Sequence, residues 1–445
     1  MKKDDLMDKI VSLAKRRGFV YPASEIYGGI AGFYDFGPNG LEMKNNLKKL
    51  WWSYMVRKRK NVVGIDGAVI THKDVWKASG HLESFSDPLA ECKTCKRRFR
   101  ADHLQEEGFD VCPNCGGVLS EPRDFNLMMY TELGVVEGEK EVAYLRGEAC
   151  QSIYLDYDNI IKTSRQKLPF GICQIGKAFR NEITPKYFLF RQREFEQWDL
   201  QYFVAPEDMK EAYDFWKEER MRWYKTLMNN EENLRFRQHA DDELAHYAKV
   251  AFDIEFNSPF GWKELEGIHW RGDWDLSRHG HFSGVNFTYT DDKGQSFIPH
   301  IVETSGGVDR SFLFFLIDAY NEEIVKGENG HEETRIVLKL NPNISPVTVA
   351  VLPLSKKDEL SSLADSIYNE LSSSFNVQYD HTGSIGKRYR RQDEIGTPYC
   401  VTVDFQSLED NKVTIRDRDT MKQQRVDVSR IFEIVNTKLK DSLNI

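Results

Sequence analysis

Arg180, Glu182, Arg191, Arg193 and Phe195 fall in one run, FRNEITPKYFLFRQREFEQWDLQYF, residues 179–203. Two aromatic-rich, strand-like segments flank a turn at Thr184-Pro185-Lys186. Alternate side chains of a strand share a face, so the pattern predicts these groups on one side. Guanidinium forks neutralise phosphate oxygens bidentately, and a Phe face stacks on a base. The reading is a nucleotide site; the alternative is a solvated Arg–Glu ladder across two strands. A second constellation is Cys92-Lys93-Thr94-Cys95 with Cys112-Pro113-Asn114-Cys115. Two CxxC turns supply the thiolates of a tetrahedral structural zinc site; disulfides or free thiols are the alternative. Cys150, Cys173 and Cys400 read as isolated small apolar residues.

The chain that must position these groups has 445 residues, too many for one ordinary domain. An apolar share of 40%, with 27 Phe, 19 Tyr and 9 Trp, supplies large cores and argues against disorder. A net charge of -9 means that a nucleic-acid contact must be a local patch. MKKDDLMDKI carries no long apolar stretch, so no signal peptide is expected. No apolar run is long enough to span a membrane. Seven cysteines without a secretion signal predict a reducing, cytoplasmic setting.

Asp4 or Asp5 caps a first helix that Gly18 ends. A stronger helix is predicted over 41–60, where Leu41, Met43, Leu47, Leu50, Trp51, Tyr54 and Met55 form an apolar stripe. Further helices are expected over about 206–228 and 240–251. Strands at Gly284–Thr290 and Phe297–Glu303 suggest an antiparallel sheet, and Phe312–Glu323 a very apolar helix. The Asn- and Pro-rich Leu340–Pro346 segment reads as a linker. After it, VTVAVLPL is a buried parallel-type strand. A helix at 356–371, a strand at 376–380, a helix at 384–392 and strands at 399–405 and 412–417 complete an α/β unit.

The 179–203 run resembles motif 2 of class II aminoacyl-tRNA synthetases, especially the glycyl branch, and the resemblance extends along nearly the whole chain. GFYDFGPNG with Trp51-Trp52 is similar to motif 1, which builds the dimer interface in that family; Lys73 stands where the family usually has Pro. ETSGGVDRSF is similar to motif 3, and GSIGKRYRRQDEIGTPYCVTVDF to the family's anticodon-binding domain. The implied fold is an α+β catalytic domain on a mixed, mainly antiparallel sheet, a zinc-knuckle insertion and a C-terminal α/β domain. The implied division is 1–90 with motif 1, 91–122 for the knuckles, 123–339 with motifs 2 and 3, and 346–445 for anticodon binding.

The resemblance also implies roles. Arg180 would hold the α-phosphate of ATP, Arg191 the β- and γ-phosphates and Arg310 the γ-phosphate, with Arg180 and Arg310 the catalytic pair. Glu182 would meet the adenine edge and Phe195 stack on it. Asn181, Phe190, Gln192, Arg193, Glu194, Leu265 and Gly307 complete the implied ATP site. Glu264 is the candidate for Mg²⁺, which favours carboxylate and phosphate oxygens. Glycine would be held by Arg100, Glu148, Asp199, Arg271, Glu303 and Ser305. Three positions depart from the family's pattern: Gly147 for Pro, Asp199 for the longer Glu, and Trp270 for a small polar residue. The implied activity is glycine attachment to tRNA(Gly) through glycyl-adenylate, by a cytoplasmic homodimer. A class II enzyme for another amino acid and a non-catalytic nucleic-acid-binding relative are the alternatives. Lys387, Arg388, Arg390 and Arg391 are read either as phosphate contacts or as a solvated helix face.

Overall fold

The computed structural model describes residues 3–136, 140–245, 247–326 and 330–443. Its centre is a seven-stranded sheet, in spatial order Leu234–Gln238, Val250–Ser258, Gly261–Gly272, His300–Gly307, Glu194–Val204, Phe170–Phe179 and Val62–Ile65. Neighbours are antiparallel except the last pair, which is parallel. The mixed, mainly antiparallel sheet expected from the sequence is therefore present. Strand alternation gives the sheet two characters. Trp198, Leu200 and Val204 join the main core, while Phe195 and Gln197 face a cleft.

Helices Pro38–Trp52, Met209–Leu227 and Val308–Ala319 cover the core side. The first opens with Pro38, whose fixed φ suits a first helical turn. It then buries Met43, Leu47 and Trp51 at helical spacing. Trp51 stacks on Trp198 with ring centroids 5.7 Å apart. The stripe predicted over 41–60 is thus covered mostly within the chain, although Leu41 is exposed. Its last stretch, Ser53–Arg57, is a wider π turn. Replacing Trp51 by Ala would cost about 3–5 kcal/mol, the usual range for emptying an aromatic core position.

Four predicted elements differ in the structure. The described part of 240–251, all but residue 246, is a looped segment, and strand pairing begins at Val250 opposite Trp270. Its Leu244, Ala245 and Tyr247 have the spacing of a helix, but they line the cleft instead. The apolar helix starts at Val308 and stops at Ala319. From Tyr320 the chain forms a strand to Lys326, paired antiparallel with Glu332–Leu338. Cross-strand pairing takes up the backbone groups that a longer helix would have used. Of Gly284–Thr290 only Tyr289–Thr290 is strand, and Phe297–Glu303 divides between Ser296–Phe297 and His300–Gly307.

The C-terminal unit is a five-stranded sheet in the order Val377–Tyr379, Val349–Pro353, Tyr399–Val403, Lys412–Asp417, Gln423–Asp427. The first three strands are parallel. It has its own core around Val349, Val351, Leu360, Ile367 and Val401. The linker is tied down at both ends. Asn343 donates to Leu439 O at 3.0 Å, and Leu340, Ile344 and Val347 enter the main core. Between the units lies Asp393, almost fully buried, which accepts from Arg335 at 2.8 Å and Arg416 at 2.9 Å. Among the described residues no helix is long and apolar enough to cross a membrane.

Candidate active site

The polar face of the central sheet floors a cleft of about 610 Å³. Arg180 follows directly on strand Phe170–Phe179. Its Nε donates to Gly147 O at 3.1 Å, and its guanidinium lies between Phe85 and Phe195, 5.1 and 5.3 Å from their ring centres. Arg191 Nε stands 4.0 Å from Glu182 Oε2. Arg191 Nη1 and Glu182 Oε2 are buried without hydrogen-bond partners. Buried polar atoms are rarely left unpaired, so this end is built for a polar ligand. Burial pushes Arg191 below its ordinary range, against the pull of Glu182. Arg310, in the first turn of Val308–Ala319, lies 4.4 Å above the Phe190 ring. Its Nη1 reaches both the carbonyl and the carboxylate of Glu264, at 3.1 Å each. Enclosure raises Glu264, but Arg310 outweighs it and holds the carboxyl below its usual range.

The segment between Arg180 and Arg193 is a loop with one 3-10 turn at Phe188–Phe190, not the end of two strands. Simple alternation therefore fails for part of it. Arg180, Glu182, Phe190, Arg191, Gln192 and Phe195 line the cleft, together with Gly307, Arg310 and Glu264. Arg193 does not: it donates to the carbonyls of Glu182 and Ala31 and fastens the loop. Asn181 and Glu194 also lie outside the cleft wall; Glu194 pairs with Lys177 at 2.7 Å. Leu265 is fully buried in the main core.

Glu148, Glu303 and Ser305 also line the cleft, with His81, Tyr247 and His269. Glu303 is saturated. Its Oε1 accepts from Gln201 and Arg271, and its Oε2 from His269 and Arg271, at 2.7–3.0 Å. Burial would raise this carboxyl, yet Arg271 and His269 hold it at about 2. Glu148 sits well below the carboxylate range: burial opposes its charge, and His81, Arg271 and Gln151 reverse that. Arg271 does not line the cleft. It is buried behind Glu303, bidentate to Asp275 at 2.7 and 2.8 Å, with the Tyr247 ring 3.6 Å from its guanidinium. Asp199 is also behind the wall, buried, and its Oδ2 has no hydrogen-bond partner. Burial, then the charge of Glu303, pushes it well above the carboxylate range.

The other two departures find places. Trp270 packs on Tyr213 of the Met209–Leu227 helix, on the core side of the sheet rather than in the cleft. A Cβ at Gly147 would stand 3.0 Å from Met128 Sδ and 3.4 Å from Phe85, so a side chain there would press on the wall that flanks Arg180.

The cysteine knuckles lie on a three-stranded sheet, Arg98–Arg100, Ser86–Glu91, Arg123–Asn126. The four Sγ atoms fall within 4.8 Å of one another, with Cys92–Cys115 at 3.5 Å and Cys95–Cys112 at 3.7 Å. Thiolates about 2.3 Å from a zinc ion stand about 3.8 Å apart in a tetrahedron. The four-thiol donor set fits a zinc ion. The same sheet brings Arg100 to the cleft, where it pairs with Asp87 at 2.8 Å and Asp102 at 2.6 Å.

His81, Phe85, Asp87, Gln197, Tyr247 and His269 are cleft residues that the sequence reading did not select. Two were legible: alternation puts His269 beside Arg271's strand position and Gln197 beside Phe195. His81 opens the one-turn helix His81–Ser84 and Asp87 lies on strand Ser86–Glu91, while Phe85 and Tyr247 lie outside helices and strands.

Residues 134–389 match the family described as tRNA synthetase class II core domain (G, H, P, S and T), and residues 348–438 match the anticodon binding domain. A prolyl-tRNA synthetase of Cryptosporidium parvum, solved with L-proline and AMP, has the same fold, with a TM-score of 0.64 at 14% identity over 98% of this chain and 78% of that one. Sheet, cleft and second domain together define a class II tRNA synthetase. The glycine--tRNA ligase of Treponema denticola is 52% identical over 98% of this chain and 97% of that protein. Those of Caldanaerobacter subterraneus and Thermobifida fusca are 51% and 47% identical over 98% of this chain. The chain belongs to the glycine--tRNA ligase family.

Proposed function

We propose that the cleft joins glycine to ATP and that the chain then passes the glycyl group to tRNA(Gly). The observation that carries this reading is the polarity of the cleft. Three arginines, Arg180, Arg191 and Arg310, and the carboxylates Glu148 and Glu303 with Ser305 line the same cleft. Activation is an in-line attack of the amino-acid carboxylate on the α-phosphorus, with pyrophosphate leaving. No protein nucleophile is needed; the site must align reactants and neutralise charge. Arg180 takes the α-phosphate, held in place by Gly147 O and two aromatic faces. Arg191 and Arg310 take the β- and γ-phosphates, and Glu182 the adenine edge. Phe195 offers a stacking face. Glu264 would hold Mg²⁺, which spreads the phosphate charge when bound; its carboxylate is half exposed at the cleft and kept ionised by Arg310.

Glu148 accepts the substrate ammonium, and Ser305 lies beside it. Arg271 acts through Glu303 rather than on the substrate. A glycine site rejects alanine by leaving no room for a Cβ. The test is ATP–pyrophosphate exchange dependent on glycine, with alanine and serine as controls. Exchange with alanine or serine but not glycine would overturn the specificity. The free oxygen of the shortened Asp199 favours a second reading, a different amino acid, and the same assay run over all twenty decides it.

The knuckles carry structural zinc, and residues 346–445 read the anticodon. We divide the rest as 1–90, 91–122 and 123–339. Ile26 and Tyr27, 88% and 87% exposed, suit a homodimer, which sedimentation tests. The setting is the cytoplasm.

A further inference from the structure

We propose that His81 is a positioning residue for amino-acid binding, holding Glu148 so that one carboxylate oxygen is left for the substrate ammonium. This rests on the glycine reading above. The inference starts from how differently the two cleft carboxylates are occupied. Both oxygens of Glu303 are filled, each by two donors. Glu148 is filled on one side only. Its Oε1 takes Gln151 Nε2 at 2.8 Å and Cys150 Sγ at 3.1 Å, with His81 Nε2 at 3.4 Å. Burial pushes the Cys150 thiol well up, so it stays protonated and donates. Its Oε2 accepts no donor among the described residues.

His81 is itself fixed. It follows the left-handed Gly80 turn, φ 84°, which only glycine adopts freely. Its ring packs against Trp76 and Phe85, both with centroids at 5.1 Å. Ser79 Oγ lies 2.8 Å from Nδ1. A carboxylate accepts only, so the tautomer with its proton on Nε2 directs it at Glu148, 3.4 Å away, and leaves Nδ1 to the Ser79 hydroxyl. Asn126 holds the His81 carbonyl at 3.0 Å. The ring is 3% exposed yet borders the cleft, which places it one contact from the ammonium. Outer partners that orient a ligating group commonly change affinity by about 10–100-fold when removed.

The test compares the wild type with His81→Ala, His81→Gln and Ser79→Ala in ATP–pyrophosphate exchange. Glycine KM should rise about 10–100-fold in His81→Ala, with ATP KM within about twofold and kcat changed far less. The amide of His81→Gln can donate from the Nε2 position and should recover most of the loss. Ser79→Ala should raise glycine KM by a smaller factor, since the ring keeps its aromatic walls. Unchanged glycine KM in both His81→Ala and Ser79→Ala overturns the proposal. So does a parallel rise of both KM values with no recovery in His81→Gln, the pattern of general damage. If His81→Ala does not fold, the Ser79→Ala and His81→Gln results decide alone. A wild type without glycine-dependent exchange sinks the functional reading instead, so the two failures are separable.

Discussion

Two regions of this chain are crowded with arginine, and they use it oppositely. In the cleft, Arg180, Arg191 and Arg310 are held by aromatic faces, a carbonyl and loose carboxylate contacts, and Arg191 Nη1 has no partner. In the C-terminal unit most forks are closed by carboxylates, although Arg388 Nε is buried without a partner and Arg430 reaches Glu433 only at 3.8 Å. Arg335, Arg416 and Arg390 converge on Asp393; Arg391 meets Asp380; Arg425 bridges Asp404 and Asp410. Arg388 is buried, donating to the carbonyls of Pro353 and Asp380. The KRYRR run is therefore mainly fastening: Arg390 and Arg391 form ion pairs, Arg388 is held by carbonyls, and Lys387 makes no ion pair among the described residues. Arginine content does not mark a phosphate site. What distinguishes the cleft is that its three guanidinium groups border open space rather than packed protein.

The comparison breaks first at Asp393. Asp393→Ala leaves buried guanidinium groups uncompensated and should lower the unfolding free energy by about 3–5 kcal/mol. Denaturant melts measure this, and an unchanged melt would erase the distinction between the regions. Arg310→Ala is the mirror experiment. It should cut the exchange rate by about 100- to 1,000-fold, with the melt nearly unmoved. Large losses of both together would make Arg310 a fastening residue as well.

A third prediction concerns pH. Glu303 is held at about 2 against an ordinary value of 4.5. A depressed carboxyl stabilises the fold fully above pH 4.5, and the contribution is lost as pH falls toward 2. Its size is on the order of 3 kcal/mol. Stability followed from pH 5 to pH 2.5 should fall less steeply in Glu303→Gln than in the wild type; identical slopes would remove Glu303 from the account. The smallest effect is expected at Lys387. Lys387→Ala should weaken tRNA binding by less than about 1 kcal/mol and reduce the salt slope by about one ion. A large loss would mean that the C-terminal unit keeps free positive charge after all.

The sequence made some parts of this molecule readable and concealed others for physical reasons. Strands flanking the cleft were legible because alternation is a local property. The family resemblance implies one site for Arg180, Arg191, Glu264 and Arg310, and all four line the same cleft. Arg193 was misplaced because its loop leaves the strand before the alternation reaches it. Arg271 and Asp199 are read as substrate contacts, yet neither lines the cleft: Arg271 bonds Glu303, and Asp199 lies opposite Ser305 on the neighbouring strand. No sequence pattern separates a residue that touches a ligand from one that holds the residue touching it. His81 was missed for the same reason, since its partner Glu148 is distant in the chain.

The hairpin Tyr320–Lys326 with Glu332–Leu338 has a consequence for rebuilding the enzyme. It grows from the end of the Arg310 helix and sends Arg335 into the second unit, to Asp393 and the Arg418 carbonyl. Arg16 and Arg17 pair with Glu394, the residue after Asp393 on the helix Ile385–Ile395. A chimera that exchanges the C-terminal unit at Leu340–Pro346 must carry a matching acid for Arg335. Without it, the graft would bury a lone cation at its own seam.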